Sequence, residues 1–81
     1  MTITVLLFAS AREAAGTGRL EMEVAEGSSP SSVFEEISKR TPALTRMRPN
    51  IRCAIDQEYG AWDAALHDGA ELAFISPTAG G

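Results

Sequence analysis

An 81-residue chain of 8.6 kDa has room for one domain and one core, with little apolar material left over for a deep cleft. Hydrophobic residues at 44% and charged residues at 22% exclude a disordered or coiled-coil chain, and a net charge of −4 argues against nucleic acid, which needs clustered Lys and Arg. The single cysteine, Cys53, excludes an internal disulfide, so the expected compartment is cytoplasmic. Ala9-Ser10-Ala11 mimics a signal-peptide cleavage site, but no positive leader precedes it. The longest apolar run, Val5 to Ala9, falls far short of the roughly 20 residues that cross a bilayer, so no membrane span is expected.

In chain order, Ile3 to Phe8 reads as a central strand, because apolar residues occupy both faces. Ala11 to Ala15 reads as a short helical turn stopped by Gly16. Leu20, Met22 and Val24 alternate with Arg19, Glu21 and Glu23, the pattern of a half-buried strand. The run Gly27 to Ser32 is loop chemistry, with Ser32 and Glu35 fitting a capping box ahead of a helix from about Val33. Val33 and Ile37, with Leu44, mark its inner stripe, and Pro42 ends or kinks it. Ile51, Cys53 and Ile55 give a third strand, Asp56 to Gly60 a turn, and Ala61 to Ala65 a short fourth strand. After the Asp68-Gly69 turn, Leu72 to Ile75 reads as the last strand. The expected division is a domain over 1–75 and a tail over 76–81.

Few residues offer chemistry within the globule. One His and one Cys make no metal-ligand spacing. His67 and Asp68 are adjacent in a turn and point apart, and Cys53 falls in a strand pattern that favours a buried, inert thiol. Glu21/Glu23 and Glu35/Glu36 are paired carboxylates on faces expected to meet water. No glycine run is followed by the Lys-Ser/Thr of a phosphate loop.

The informative feature is Ser76-Pro77-Thr78-Ala79-Gly80-Gly81. Two glycines let a backbone enter a channel too narrow for a Cβ, and six residues at about 3.3 Å each reach about 20 Å. Such an end suits delivery of the Gly81 carboxylate into another protein's active site; the competing reading is a terminus of small residues that frays.

Phe8-Ala9-Ser10-Ala11-Arg12-Glu13 after the first strand and Phe74-Ile75-Ser76-Pro77-Thr78-Ala79-Gly80-Gly81 at the end resemble the small subunit of molybdopterin synthase, across the whole chain. The resemblance implies an α+β fold of the ubiquitin-like β-grasp type, a mixed β-sheet packed on one main helix with the first and last strands parallel at its centre. It implies a sulfur carrier with no bound cofactor: an ATP-dependent adenylating enzyme activates Gly81, a sulfur donor protein converts it to a thiocarboxylate, and the synthase large subunit uses that sulfur on a pterin precursor.

Partner contacts implied in the same way are Gly80, Ala79 and Thr78 in the tail, with Phe8, Ile75, Arg12 and Tyr59 on the body. For Phe8 and Ile75 the alternative is core packing, and for Arg12 a salt bridge within the chain. Three other functions stay open on sequence: a sulfur carrier for thiazole or cysteine synthesis, a protein modifier joined to lysines through Gly81, and a noncatalytic interaction module.

Overall fold

The computed structural model describes residues 1–76. Strict alternation of buried Ile3, Val5 and Leu7 with more open neighbours makes Thr2–Phe8 a strand (β1) with one face in the core. Phe8 leads into a seven-residue helix, Ala9–Ala15 (α1), capped by Gly16 in the left-handed region at φ 76°. Arg19–Glu23 (β2) returns antiparallel to β1, with only half-buried inner residues because it lies at the sheet edge.

Helix α2 runs over Pro30–Arg40, three residues earlier than the expected start at Val33. The expected capping box of Ser32 with Glu35 is replaced by one a turn earlier. The Ser32 amide donates to Ser29 Oγ at 3.3 Å, and the Ser29 amide donates to Ser32 Oγ at 3.0 Å. The serine-rich run supports either register; Pro30 decides it, since proline fits the first helical turn, where no amide donor is needed. Val33, Phe34 and Ile37 form the buried stripe.

The helix ends at Arg40, with the Thr41 amide closing on the Ile37 carbonyl just before Pro42. A further short helix, Ala43–Met47 (α3), and a 3-10 turn, Arg48–Asn50, then follow. Leu44, expected as an extension of the first stripe, is fully buried on α3 instead.

Arg52–Ile55 (β3) pairs antiparallel with Glu58–Tyr59 (β4) across Asp56 and Gln57, both at positive φ (50° and 72°) as a tight two-residue hairpin requires. The expected strand at Ala61 to Ala65 does not form. That segment crosses the start of α2, where the Trp62 carbonyl accepts the Ser31 amide at 2.9 Å and the Leu66 amide donates to the Ser28 carbonyl at 2.9 Å. Trp62 stacks on Phe74 with centroids 5.6 Å apart, Phe34 meets both rings edge-on, and the Arg48 guanidinium lies 3.3 Å from the Trp62 centroid.

Gly69, at φ 81°, turns the chain into Glu71–Ile75 (β5). Sheet order is β2-β1-β5-β3-β4, with β1 and β5 parallel at the centre and the other pairs antiparallel. One face carries α2 and the core; Thr4, Leu6 and Phe8, on the other face of β1, fall outside the core cluster. This is the α+β, β-grasp arrangement that the resemblance implied.

Candidate functional site

The site is built where β5 ends. Its central position forces β5 to finish beside the end of β1, so Ile75 pairs with Phe8. The next residue, Ser76, is buried and ties the two chain segments together: its hydroxyl donates to the Phe8 carbonyl at 2.8 Å and accepts the Ala11 amide at 3.0 Å. Ala9 sits between them at φ 50°, an uncommon conformation for a residue with a Cβ, and it turns the strand into α1. Of the two stretches that carried the resemblance, Phe8 and Ala11 in the first are therefore bonded neighbours of Ile75 and Ser76 in the second.

The outer face of the sheet supplies the surroundings. Phe8, Ile75 and Arg52 form one row across three strands, with Phe8 45% exposed and Ile75 half-buried, so neither is in the core. The next row is Arg19, Leu6, Ala73, Ala54 and Tyr59, with Tyr59 72% exposed. Phe8, Ile75 and Tyr59 thus share one face, although Tyr59 stands on the edge strand and away from Ser76. An aromatic ring left this open, beside an aliphatic neighbour, suits contact with another protein.

Arg12 is exposed on α1, and its side chain lies along the Gly18 backbone, where a Cβ would come within 3.1 Å of Nε. Among the described residues no carboxylate pairs with it, so the alternative of an internal salt bridge is not realised there. Thr78, Ala79, Gly80 and Gly81 lie outside the described residues.

Other chemistry-bearing residues fall elsewhere. Cys53 is 2% exposed; its thiol donates to the Gly60 carbonyl at 3.2 Å, and burial pushes its pKa up, which suppresses the nucleophilic thiolate. His67 is exposed but partnered: Nε2 meets Asp56 Oδ2 at 2.5 Å and Nδ1 meets the Asp68 carbonyl at 2.8 Å. The Asp56 hydrogen bond raises the His67 pKa, and the His67 contact lowers that of Asp56. Sequence reading missed this pair because the partners are eleven residues apart and meet only through sheet pairing. It lies by the start of β5, at the end of the strand away from Ser76, so it is no part of the site. Among the described residues no group of three or more His, Cys, Asp or Glu is placed to hold a metal ion, and no helix is long and apolar enough to cross a membrane.

Sequence reading also passed over Ser76 as an anchor, together with Arg46, Asn50 and Arg52. Two shallow grooves adjoin Ser76, one lined by Ser10, Ala43, Arg46, Met47 and Asn50, the other by Pro49, Asn50, Arg52 and Ile75. Only the unexpected α3 and the turn after it bring Arg46 and Asn50 to that place.

The sheet order, with β5 central and held at Ser76 and an open apolar row beside it, defines a ubiquitin-like β-grasp protein. The chain belongs to the ThiS family, which it matches over residues 5–81. It is 36% identical over 83 residues to the molybdopterin synthase sulfur carrier subunit of Chlamydomonas reinhardtii, covering 100% of both chains. It is 35% identical over 79 residues to the protein of that name from Arabidopsis thaliana, covering 98% of this chain and 82% of the relative. Among solved structures, SAMP1 from Haloferax volcanii superposes with a TM-score of 0.86 at 25% identity, covering 100% of each chain.

Proposed function

We propose that this chain is the sulfur carrier subunit of a molybdopterin synthase, with Gly81 as the loaded residue. The full-length similarity to relatives of that name carries the reading, and the anchored end of β5 supports it. A carboxylate is resonance-stabilised and resists attack until adenylation gives it a good leaving group. An ATP-dependent adenylating enzyme joins AMP to the Gly81 carboxylate and releases pyrophosphate. A sulfur donor protein then displaces AMP, leaving a thiocarboxylate. In the large subunit that soft, anionic sulfur attacks carbon of a pterin precursor, and hydrolysis of the acyl link returns the carboxylate.

This division of labour suits a body in which, among the described residues, the thiol is buried and His67 lies at the far end of β5 from Ser76. The chain itself binds no cofactor in this scheme, and ATP is the partner's substrate.

Intact mass after incubation with ATP, the adenylating enzyme and a sulfur source tests the reading. Exchange of one terminal oxygen for sulfur, followed by conversion of precursor when the large subunit is added, is expected. Loading without conversion moves the carrier to another sulfur pathway. Amide-linked conjugates in place of thiocarboxylate make it a modifier, and a variant lacking Gly81 that still transfers sulfur overturns the proposal.

A further inference from the structure

Register sorts charge along the outer sheet face. The row nearest Ser76 holds Phe8, Ile75 and the exposed Arg52; the second holds Arg19 beside the apolar Leu6, Ala73, Ala54 and Tyr59. The third row reverses sign, with Glu21 and Glu71 flanking Thr4 and Asp56 bonded to the Glu71 backbone, and the fourth ends on Glu23 opposite Thr2. Cations thus occupy the end where β5 finishes and carboxylates the opposite end.

A second cation, Arg46, reinforces the first end from α3. The grooves holding Arg46 and Arg52 meet at Asn50 and Ser76, and among the described residues no carboxylate lines either one. Among the described residues neither arginine has an ion-pair partner, whereas Arg19 and Lys39 are each paired with a glutamate. The first and third rows are four strand residues apart, about 13 Å, which exceeds the Debye length of about 8 Å at physiological salt. A docked protein therefore meets the two ends as separate charges, and the overall charge of −4 does not hide the basic one.

We propose that Arg46 and Arg52 form an electropositive collar that pairs with acidic side chains on the rim of a partner protein's opening for the chain end. The inference rests on the sulfur-carrier reading and adds the chemistry of the partner's rim. Five residues follow Ser76, a reach of up to about 17 Å, so the collar meets the mouth of such an opening and not the reacting carboxylate at its base. Arginine suits this place because its planar fork engages a carboxylate through two hydrogen bonds. The collar adjoins Phe8 and Ile75, so apolar contact and charge pairing fall within one continuous footprint, and the charge orients the body so that the chain end faces the opening.

The test measures affinity and association rate of the full chain for the adenylating enzyme and for the synthase large subunit, at about 50 and about 300 mM NaCl. The double variant Arg46→Glu/Arg52→Glu is expected to bind at least one of them about 30-fold more weakly at low salt, through slower association, with the gap closing at high salt. Arg46→Gln/Arg52→Gln is expected to fall between it and the parent. Lys39→Glu/Arg40→Glu, at the end of α2 on the other side of the sheet, changes the net charge equally and is expected to bind within about threefold of the parent. Equal losses in the two glutamate doubles, parental binding by Arg46→Glu/Arg52→Glu, or a loss insensitive to salt each overturn the collar.

Thermal unfolding of each variant, which the collar does not predict to change, separates misfolding from lost docking; if the glutamate double is unfolded, the glutamine double decides by the same salt criterion. A parent chain that loads sulfur while the arginine variants bind normally defeats this inference alone. A parent that binds neither protein defeats the sulfur-carrier reading with it.

Discussion

The Ser76 hydroxyl holds Phe8 through its carbonyl at 2.8 Å while also accepting the Ala11 amide, so a single buried side chain joins the end of β5 to both sides of the turn between β1 and α1. Ala11 is itself fully buried, which leaves its amide no water to fall back on.

Ser76→Ala removes that acceptor and strands a buried donor, which costs about 1–3 kcal/mol. Urea denaturation checks the magnitude. Ser76→Thr, which retains a hydroxyl, is expected to lose less. A loss below about 0.5 kcal/mol in Ser76→Ala contradicts the anchoring role.

His67 faces two acceptors, the Asp56 carboxylate and the Asp68 carbonyl, so only the imidazolium, with a proton on each nitrogen, satisfies both. Its pKa is raised, so the stability it contributes is complete below its ordinary value of 6.5 and fades as pH rises through the higher folded value. Asp56 is lowered, so its share is present above its ordinary value of 3.8 and is lost as pH falls through the lower folded value. The pair supports the fold most between these limits. In urea midpoints measured from pH 5 to 8.5, His67→Gln is expected to flatten the decline seen above neutrality; an unchanged slope refutes the coupling.

Cys53 is predicted to resist thiol reagents in the folded protein, because it is sealed in the core and burial holds it in the protonated form. Its labelling rate with a disulfide reagent is expected to follow global unfolding as urea is raised. Rapid labelling in native buffer contradicts this placement.

Ser38 carries a buried hydroxyl that finds no hydrogen-bond partner among the described residues. Ser38→Ala removes an unsatisfied group and improves helix propensity within α2, so it is expected to stabilise the protein by about 0.5–1.5 kcal/mol. For a domain of this size that raises the melting temperature by a few degrees, roughly 2–10 °C. A lower melting temperature shows that the hydroxyl has a role the hydrogen bonds do not reveal.

The sequence by itself determined the elements with strong local signals. Alternation at Ile3, Val5 and Leu7 specified β1 and its buried face, while Phe8 stayed open between core and surface until the structure showed it exposed. Gly16 ended α1, Pro42 followed the end of α2, and Asp68-Gly69 turned the chain into β5. These are short-range effects, in which steric preference or side-chain period acts within a few residues. Local chemistry was ambiguous where it offered two registers, as in Gly27 to Ser32, and silent on α3, whose five residues are too few to show a period.

Only the tertiary structure decided what depends on residues far apart in the chain. Ala61 to Ala65 has strand-like spacing, yet the packing of Trp62 on Phe74 and bonds to the start of α2 hold that stretch across the helix end. His67 meets Asp56, and Ser76 meets Phe8 and Ala11, because β5 lies between β1 and β3, while α3 and the turn after it bring Arg46 to the rim that holds Arg52. Pairing across a sheet is selected by the burial of the whole apolar face, and no local window of residues contains that information.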